Sequence, residues 1–441
     1  MEVFDVNDII YALATPWAKG AIAVVRVSGE GCISIVSKHF KSRKKLEDVP
    51  SFTAVYGELS DIDRCIITVF RNGHGYTGQE SLEISCHGGL ETIKATLELM
   101  SALGFRQAKG GEFTLRAFVN GKMDLTRAEA VNELINSRGK TGAMLALNRL
   151  NGALWNRINE IKDILTGILA TVEVQLDYAE DEIDQDLTFP REKLDTALKL
   201  IRQISMSYST GRLYSQGAVV VLAGSTNAGK SSLFNLFLKQ ERAIVSSTAG
   251  TTRDFIESSC EIDGIPVRLY DTAGLRESSD GIEQEGINRS RALLESADLI
   301  IYLVDASEPV TDKAIMSDPR TICVVNKTDI AKPVIENCLY LSVKTQEGFN
   351  NLCNAISAYL KKDLPEADTS SMVIENKRQK EDLERAVAAL ETVEDNLEND
   401  IPLDIVTMGL QEAMEALGEI TGEVTTDDIL DRIFADFCVG K

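Results

Sequence analysis

The sequence predicts a multidomain protein of the α/β plus all-α class, with a parallel sheet module inserted into a helical bundle behind an N-terminal mixed α/β unit. Three observations carry this expectation. Between residues 213 and 364, nearly continuous apolar runs alternate with helical spacing, the pattern of a parallel sheet covered on both faces. Before that module, Leu147, Leu150, Leu154, Ile158, Ile161, Leu165, Ile168 and Val172 recur every three or four positions. After it, Leu383, Val387, Leu390, Val393, Val406, Leu410, Leu417 and Ile420 do the same. Such stripes need partners, and the two sets are expected to pack on each other as one bundle.

Taken in order, residues 1–118 read as the mixed unit, with strands at 22–27 and 81–86 and a helix over 89–103. Residues 119–212 form the first part of the helical domain. Residues 213–364 form the sheet module, with strands at 218–222, 267–270, 299–304, 321–325 and 339–341. Residues 365–441 return to helix. A length of 441 residues suits about two to four domains.

Composition narrows the classes. The chain is 44% hydrophobic and 26% charged, ordinary for a globular protein. No stretch approaches the ~18 apolar residues of a membrane-spanning helix, and the N-terminus lacks a basic, then apolar, leader. Eight cysteines (Cys32, Cys65, Cys86, Cys260, Cys323, Cys338, Cys353, Cys438) are scattered without a C-x-x-C pair. That spacing argues against a thiolate zinc site or a disulfide scaffold, and for a reducing, cytoplasmic setting with no membrane contact. A net charge of −22 argues against a protein that coats itself with nucleic acid.

The strongest motif is Gly224-Ser-Thr-Asn227-Ala228-Gly229-Lys230-Ser231-Ser232, which fits G-x-x-x-x-G-K-[ST] between a strand and a helix. Its backbone N–H groups form a nest for phosphates, Lys230 supplies a point charge, and the Ser231 hydroxyl is a Mg²⁺ ligand candidate. Asp271-Thr272-Ala273-Gly274 and Asn326-Lys327-Thr328-Asp329 each follow a strand, at the ends where open α/β sheets bind ligands. Asp329 can accept from the guanine ring N–H and amino group, which adenine does not offer, so the expected nucleotide is GTP. Ser342-Val343-Lys344 fits a loop that backs the base. Together these predict a P-loop GTPase with a Ras-like parallel sheet.

Between the first two motifs, Ser246-Ser247-Thr248-Ala249-Gly250-Thr251-Thr252-Arg253-Asp254 suits a loop closing over the γ-phosphate and giving a Thr to Mg²⁺. The position that would orient water in Ras-type enzymes is Leu275, which lacks the chemistry. Arg276, Glu277, Asp280, Glu283 and Glu285 follow, and spacing alone leaves open which carboxylate takes that role.

These motifs resemble the potassium-dependent GTPases that lack the catalytic Gln. The likeness extends to Ala14-Thr-Pro16, Gly20-Ala-Ile, Arg26-Val-Ser-Gly29, Tyr76-Thr-Gly78, His87-Gly-Gly89, Gly111-Glu-Phe-Thr114 with Arg116-Ala-Phe118, Asn120-Gly-Lys122-Met-Asp124-Leu125 and the terminal Phe437-Cys438-Val-Gly440-Lys441. In order and over the whole chain, this is similar to the MnmE (TrmE) family of tRNA-modification GTPases. Departures are Trp17-Ala18 after Pro16, Gly110 where Pro often stands, and Ser246 where Thr is frequent.

The resemblance implies a homodimer joined through a tetrahydrofolate-binding N-terminal domain. It also implies a flavoprotein partner, MnmG, which carries the FAD and joins the chain in a heterotetramer. Their activity modifies C5 of the wobble uridine of certain tRNAs. It implies K⁺ on Asn227, Ser246, Thr248 and Thr251, Mg²⁺ on Ser231 and Thr252, and Glu283 as the water-orienting catalytic carboxylate. It places the folate on Arg26, Glu83, Lys122 and Lys441. An Arg inside an apolar strand costs free energy, which favours a role for Arg26. Cys438, between Phe437 and Val439, reads equally as a thiol for chemistry or a small buried residue.

Two other readings compete. A ribosome-assembly GTPase of the Era or EngA kind would carry a following RNA-binding module or tandem G domains, and a metallocluster-maturation GTPase would carry clustered cysteines. The sequence has neither. By segment, the charge is −1 for 1–118, −2 for 119–212, −5 for 213–364 and −14 for 365–441. The near-neutral N-terminal side is therefore where tRNA is expected to approach, with the acidic C-terminal helices turned away or facing a basic partner surface.

Overall fold

The computed structural model describes residues 6–177, 188–240, 257–271, 292–308, 313–331, 333–362, 364, 373–435 and 437–441. The chain separates into two compact units, one of Met1–Asn132, Leu150–Asn159 and Glu415–Lys441 and one of Glu133–Arg149 and Glu160–Met414.

The first unit is built on a mixed sheet. Its strands are β1 (Ile10–Leu13), β2 (Ile22–Ser28), β3 (Phe40–Ser42), β4 (Thr53–Leu59), β5 (Asp63–Phe70), β6 (Ser81–His87) and β7 (Arg106–Gln107), in spatial order β3-β4-β5-β6-β2-β1-β7. All neighbours are antiparallel except β1 and β7. Alternation places Val25 and Val27, Ile67 and Val69, and Leu82 and Ile84 in one buried layer. α1 (Cys32–Ser37) and α2 (Leu90–Ala102) pack over this side of the sheet. The opposite face carries the alternate residues, among them Arg26, Glu83 and the exposed Tyr56 and Ile66. Sequence reading missed β4 and β5. Their three-residue turn, Ser60-Asp61-Ile62 with φ of +43° and +55° at its first two positions, carries no glycine to announce it.

α3 (Glu112–Val119) opens at the Gly-Glu-Phe-Thr motif, whose charged residues have a structural task. Glu112 and Arg116 are 1% and 0% exposed. Arg116 pairs with Glu112 at 3.0 Å and with Asp8, while Arg106 pairs with Asp8 at 2.6 Å and Glu112 at 2.5 Å. The buried Glu112 and Arg116 are thus balanced in charge by each other and by the half-buried Asp8 and Arg106, the condition under which ionised groups persist away from water.

The helices α4 (Leu125–Asn136), α5 (Lys140–Leu150), α6 (Ala153–Asp177), α7 (Arg191–Met206) and α8 (Tyr208–Gln216) follow. The predicted stripe from Leu154 to Val172 is fully buried along α6, but Leu147 is 45% exposed. The period does not run through, because Asn151-Gly152 breaks the chain between α5 and α6, with Gly152 at φ +92°. The helix after the break takes a new phase.

The second unit contains the sheet β8 (Ala218–Gly224), β9 (Glu257–Ile262), β10 (Ile265–Asp271), β11 (Leu299–Asp305), β12 (Thr321–Asn326) and β13 (Cys338–Tyr340), in order β13-β12-β11-β8-β10-β9. Every described pairing is parallel except the β9–β10 hairpin. β9 was not among the expected strands. Its Glu-Ser-Ser-Cys-Glu-Ile sequence is polar for a strand, although Asp263-Gly264 was a readable hairpin turn. β11 is buried at every position, as its unbroken apolar run requires. α9 (Lys230–Gln240) and α10 (Phe349–Lys361) cover one face, where Phe237 and Phe349 meet at 5.0 Å. Val221, Ile300, Tyr302 and Val304 form the other layer.

α7 packs on α11 (Lys377–Glu398), bringing together helices from either side of the sheet module. Leu194, Ala197, Leu198 and Ile201 are buried on one, and Leu383, Ala386, Leu390 and Val393 on the other. Entry and exit of the module lie side by side. Ile374 N donates to Ser207 Oγ at 3.1 Å, and a side chain at Gly211 of α8 would collide with the Ile374 carbonyl. α12 (Leu403–Thr421) and α13 (Asp427–Ala435) complete the chain. No helix among the described residues is long and apolar enough to cross a membrane.

Candidate functional site

The described residues expected at the nucleotide site gather at the C-terminal ends of the parallel strands β8, β10, β12 and β13. The loop after β8 needs its glycines. Gly224 has φ +137°, and a Cβ there would collide with the Leu303 carbonyl of the adjacent β11. At Gly229, φ +96°, it would collide with the Asn326 amide. Asn227 takes φ +68° on the exposed side of the loop, a conformation Asn tolerates better than most residues. Ala228 is buried beneath it.

Lys230, 6% exposed, sends its ammonium back onto the Gly224 and Ser225 carbonyls at 2.9 and 2.7 Å. It stands at the N-terminus of α9, where N–H groups and the helix dipole favour an anion. Ser231 Oγ donates to Asp271 Oδ2 at 2.6 Å, joining the P-loop helix to the end of β10. Two hard oxygen donors side by side suit Mg²⁺. Ser232 begins the exposed side of α9.

Asn326 links three loops. Its Nδ2 donates to Ala228 O at 2.8 Å, and its Oδ1 accepts from Val343 N at 3.1 Å. The loop at Val343 is thereby tied to the glycine loop at Ala228. Ser342, fully buried, donates to Asp329 Oδ1 at 2.8 Å and holds the carboxylate in place. Lys344 Nζ lies 4.0 Å from Asp329 Oδ2 on the exposed rim. Thr328 is buried and donates its N–H to Leu341 O at 3.3 Å.

Lys327 adopts φ +65° and pairs with Asp305 Oδ2 at 2.6 Å. Burial pushes the Asp305 carboxyl up, but Lys327 and the Ser307 donors outweigh it and hold the group below the ordinary carboxylate range. Asp305 was missed in the sequence. Its position at the C-terminal end of β11 was the available signal. Ser246, Ser247, Thr248, Ala249, Gly250, Thr251, Thr252, Thr272, Ala273, Gly274 and Glu283 lie outside the described residues.

The first unit gathers a second polar set on the open face of its sheet. Arg26 and Glu83 are direct partners in the β2–β6 register, with Arg26 Nη2 2.7 Å from Glu83 Oε1. Arg26 Nη1 donates to Gly440 O at 3.2 Å, and the guanidinium lies 5.3 Å from the Tyr76 ring and 5.7 Å from that of Phe113. Phe113 N donates to Lys441 O at 3.1 Å. The chain terminus is thus drawn into the group. Lys122 is not at Arg26. Its ammonium donates to Gly73 O at 2.9 Å, on the loop that carries Tyr76. Tyr76 and Phe113, visible in the sequence only as parts of motifs, are the rings that cradle Arg26. Cys438 is exposed, which removes the buried reading of that residue.

The parallel sheet with its glycine loop, the buried Lys230 at the N-terminus of α9 and the Ser231–Asp271 contact has the make-up of a P-loop GTPase. Residues 9–122 match the family model of the GTP-binding protein TrmE N-terminus, and residues 125–438 that of the MnmE helical domain. The tRNA modification GTPase MnmE of Borrelia recurrentis (strain A1) is 40% identical over 464 residues, covering 100% of both chains. That of Treponema denticola is 39% identical over 472 residues, covering 99% of each. Among solved structures, the G domain of the T. maritima FeoB iron transporter aligns over 32% of this chain and 98% of its own, at 27% identity and a TM-score of 0.26. This chain belongs to the MnmE family of tRNA modification GTPases, and it hydrolyses GTP.

Proposed function

We propose that this GTPase, with the flavoprotein MnmG, adds a carboxymethylaminomethyl or aminomethyl group to C5 of the wobble uridine of certain tRNAs, using a tetrahydrofolate one-carbon unit. The observation that carries this reading is the Arg26 cluster. It places a guanidinium, a carboxylate and two aromatic rings on an open sheet face, together with the chain terminus. That donor set suits a planar heteroaromatic ligand bearing both hydrogen-bond donors and acceptors. Arg26 and Glu83 would hold the folate there, with Lys441 closing one side and Lys122 the loop beyond Tyr76. The bound folate would supply the one-carbon unit. The Arg26–Glu83 pair is partly exposed and contributes at most about 1 kcal/mol to stability, which supports a binding role.

In the G domain, Ser231 and Thr252 would hold Mg²⁺. Asn227, Ser246, Thr248 and Thr251 would hold K⁺, and Glu283 would orient the attacking water. Exposed Tyr56 and Ile66, on adjacent strands of the open sheet face, support a homodimer through the N-terminal unit. The working division is 1–118, 119–212, 213–364 and 365–441. The −14 charge of the last segment supports contact with a basic surface of the flavoprotein and approach of tRNA elsewhere. A cytoplasmic location follows from a tRNA substrate.

Mass spectrometry of tRNA nucleosides from a deletion strain tests the reaction. The modified wobble uridines should disappear and return with the wild-type gene, but not with Arg26→Ala. Unchanged nucleosides in the deletion strain refute the proposal. For the cation, GTP turnover should rise about a hundredfold when K⁺ replaces Na⁺, the scale of one transition-state charge stabiliser. Asn227→Ala should abolish the difference, and equal rates in both salts would remove K⁺ from the mechanism.

A further inference from the structure

Of the cysteines in the nucleotide-binding unit, two face each other. Cys323 of β12 and Cys338 of β13 are direct register partners in adjacent parallel strands, and their Sγ atoms are 2.6 Å apart. Cys260 and Cys353 pack with the opposite layer of the same sheet. Cys323 is buried and Cys338 is half-buried, so Cys338 is the more accessible of the two. Neighbouring strands about 4.8 Å apart bring Cα atoms within the range a disulfide spans.

The strands that carry this pair also carry the base-reading loops. Asn326 follows Cys323 by three residues, and Ser342 follows Cys338 by four. The loops are joined to each other through Val343 N to Asn326 Oδ1 and Ser342 Oγ to Asp329 Oδ1. A closely packed sheet passes a displacement at one point to its neighbours.

We propose that Cys323 and Cys338 are a reversible redox modification site, oxidised by a hydroperoxide or a low-molecular-weight disulfide to an intramolecular disulfide that weakens guanine nucleotide binding. With a hydroperoxide, the Cys338 thiolate attacks the distal peroxide oxygen, the O–O bond breaks, and the departing alkoxide or hydroxide takes a proton. Cys323 then attacks the Cys338 sulfur, the S–O bond breaks, and the Cys323 proton leaves with the hydroxide as water. With a low-molecular-weight disulfide, Cys338 displaces one thiolate and Cys323 the other. Two equivalents of a low-molecular-weight thiol reverse the reaction and are themselves oxidised to their disulfide. Burial, reinforced by the Cys338 neighbour, pushes the Cys323 thiol up to about 12, which suits it to act second. Disulfides that form in reducing compartments are usually transient and catalytic or redox-sensing.

The test uses the full chain treated with hydrogen peroxide or oxidised glutathione. Trypsin should release the segments 321–327 and 328–344 as one linked species lighter by two hydrogens, and dithiothreitol should separate them. Affinity for a fluorescent GDP should fall about tenfold on oxidation, the equivalent of one hydrogen bond to the base, and recover on reduction. Cys323→Val and Cys338→Ser should bind GDP as the reduced protein does and lose the response to oxidant. If Cys323→Val does not fold, the half-buried Cys338→Ser decides alone. No linked species under conditions that fully oxidise exposed Cys438 overturns the site. A linked species with unchanged GDP affinity overturns its effect.

Discussion

Replacing Asp329 by Asn should convert the protein from a guanine to a xanthine nucleotide binder. The carboxylate is set to accept from both the ring N–H and the amino group of guanine, and Ser342 Oγ at 2.8 Å fixes its direction. Charge-assisted hydrogen bonds contribute about 1.5–3 kcal/mol each. Losing two at the lower figure weakens GTP binding by roughly a hundredfold. An Asn amide meets the guanine amino group donor to donor, whereas xanthine presents a carbonyl at that position. Ser342 can still donate to the Asn oxygen, so the loop should keep its shape. Titration of the variant with fluorescent GDP and XDP checks this directly. Equal weakening toward both would mean that Asp329 holds the loop together rather than reading the base.

Arg149→Ala should cost about 3–5 kcal/mol, because it leaves buried carboxylates without their counter-charge. Arg149, 2% exposed, pairs with Glu133 at 2.7 Å and Glu375 at 2.9 Å, and also donates to the Val373 carbonyl at 2.5 Å. These contacts join α4 and α5 to the chain where it leaves the sheet module. At about 2–4 °C per kcal/mol for a unit of this size, the melting temperature should fall by about 10 °C. Two acids share one Arg. Burial, eased by Arg149 and reinforced by Glu375, pushes the Glu133 carboxyl up to about 7.

The sign of the pH effect follows. Between its ordinary value and about 7, the folded protein keeps a proton on Glu133 that the unfolded chain has released, so stability declines as pH rises through that window. Because burial also pushes the neighbouring Glu375 carboxyl up, Glu133→Gln should lessen the decline rather than abolish it, leaving stability near pH 6 little changed. A melting temperature that rises from pH 5.5 to 8 in the wild type, or the same profile in Glu133→Gln, would contradict this account.

Much of the candidate nucleotide site was legible because its residues lie in short contiguous segments. Gly224 to Ser232 is one contiguous run between a strand and a helix, and Asn326 to Asp329 is another at a strand end. The sheet was legible for the same reason, since β8, β11 and β12 are apolar runs that only a doubly covered parallel strand explains. β9 was not, because a polar edge strand gives no period-two signal, and Leu147 was misplaced because a helix break resets the phase of a stripe.

The sequence by itself determined the class of protein and the helical segments on either side of the module, each a property of local pattern. Tertiary structure decided which residues meet. Only strand register sets Arg26 against Glu83 and Cys323 against Cys338. Only the fold brings Arg149 to a carbonyl 224 positions away, or makes one amide, Asn326, hold the phosphate loop and the base loop together. Periodicity reports which face of an element is buried. The partner on the other side is set by how sheets and helices close over a shared core, a relation between distant segments that no local pattern contains.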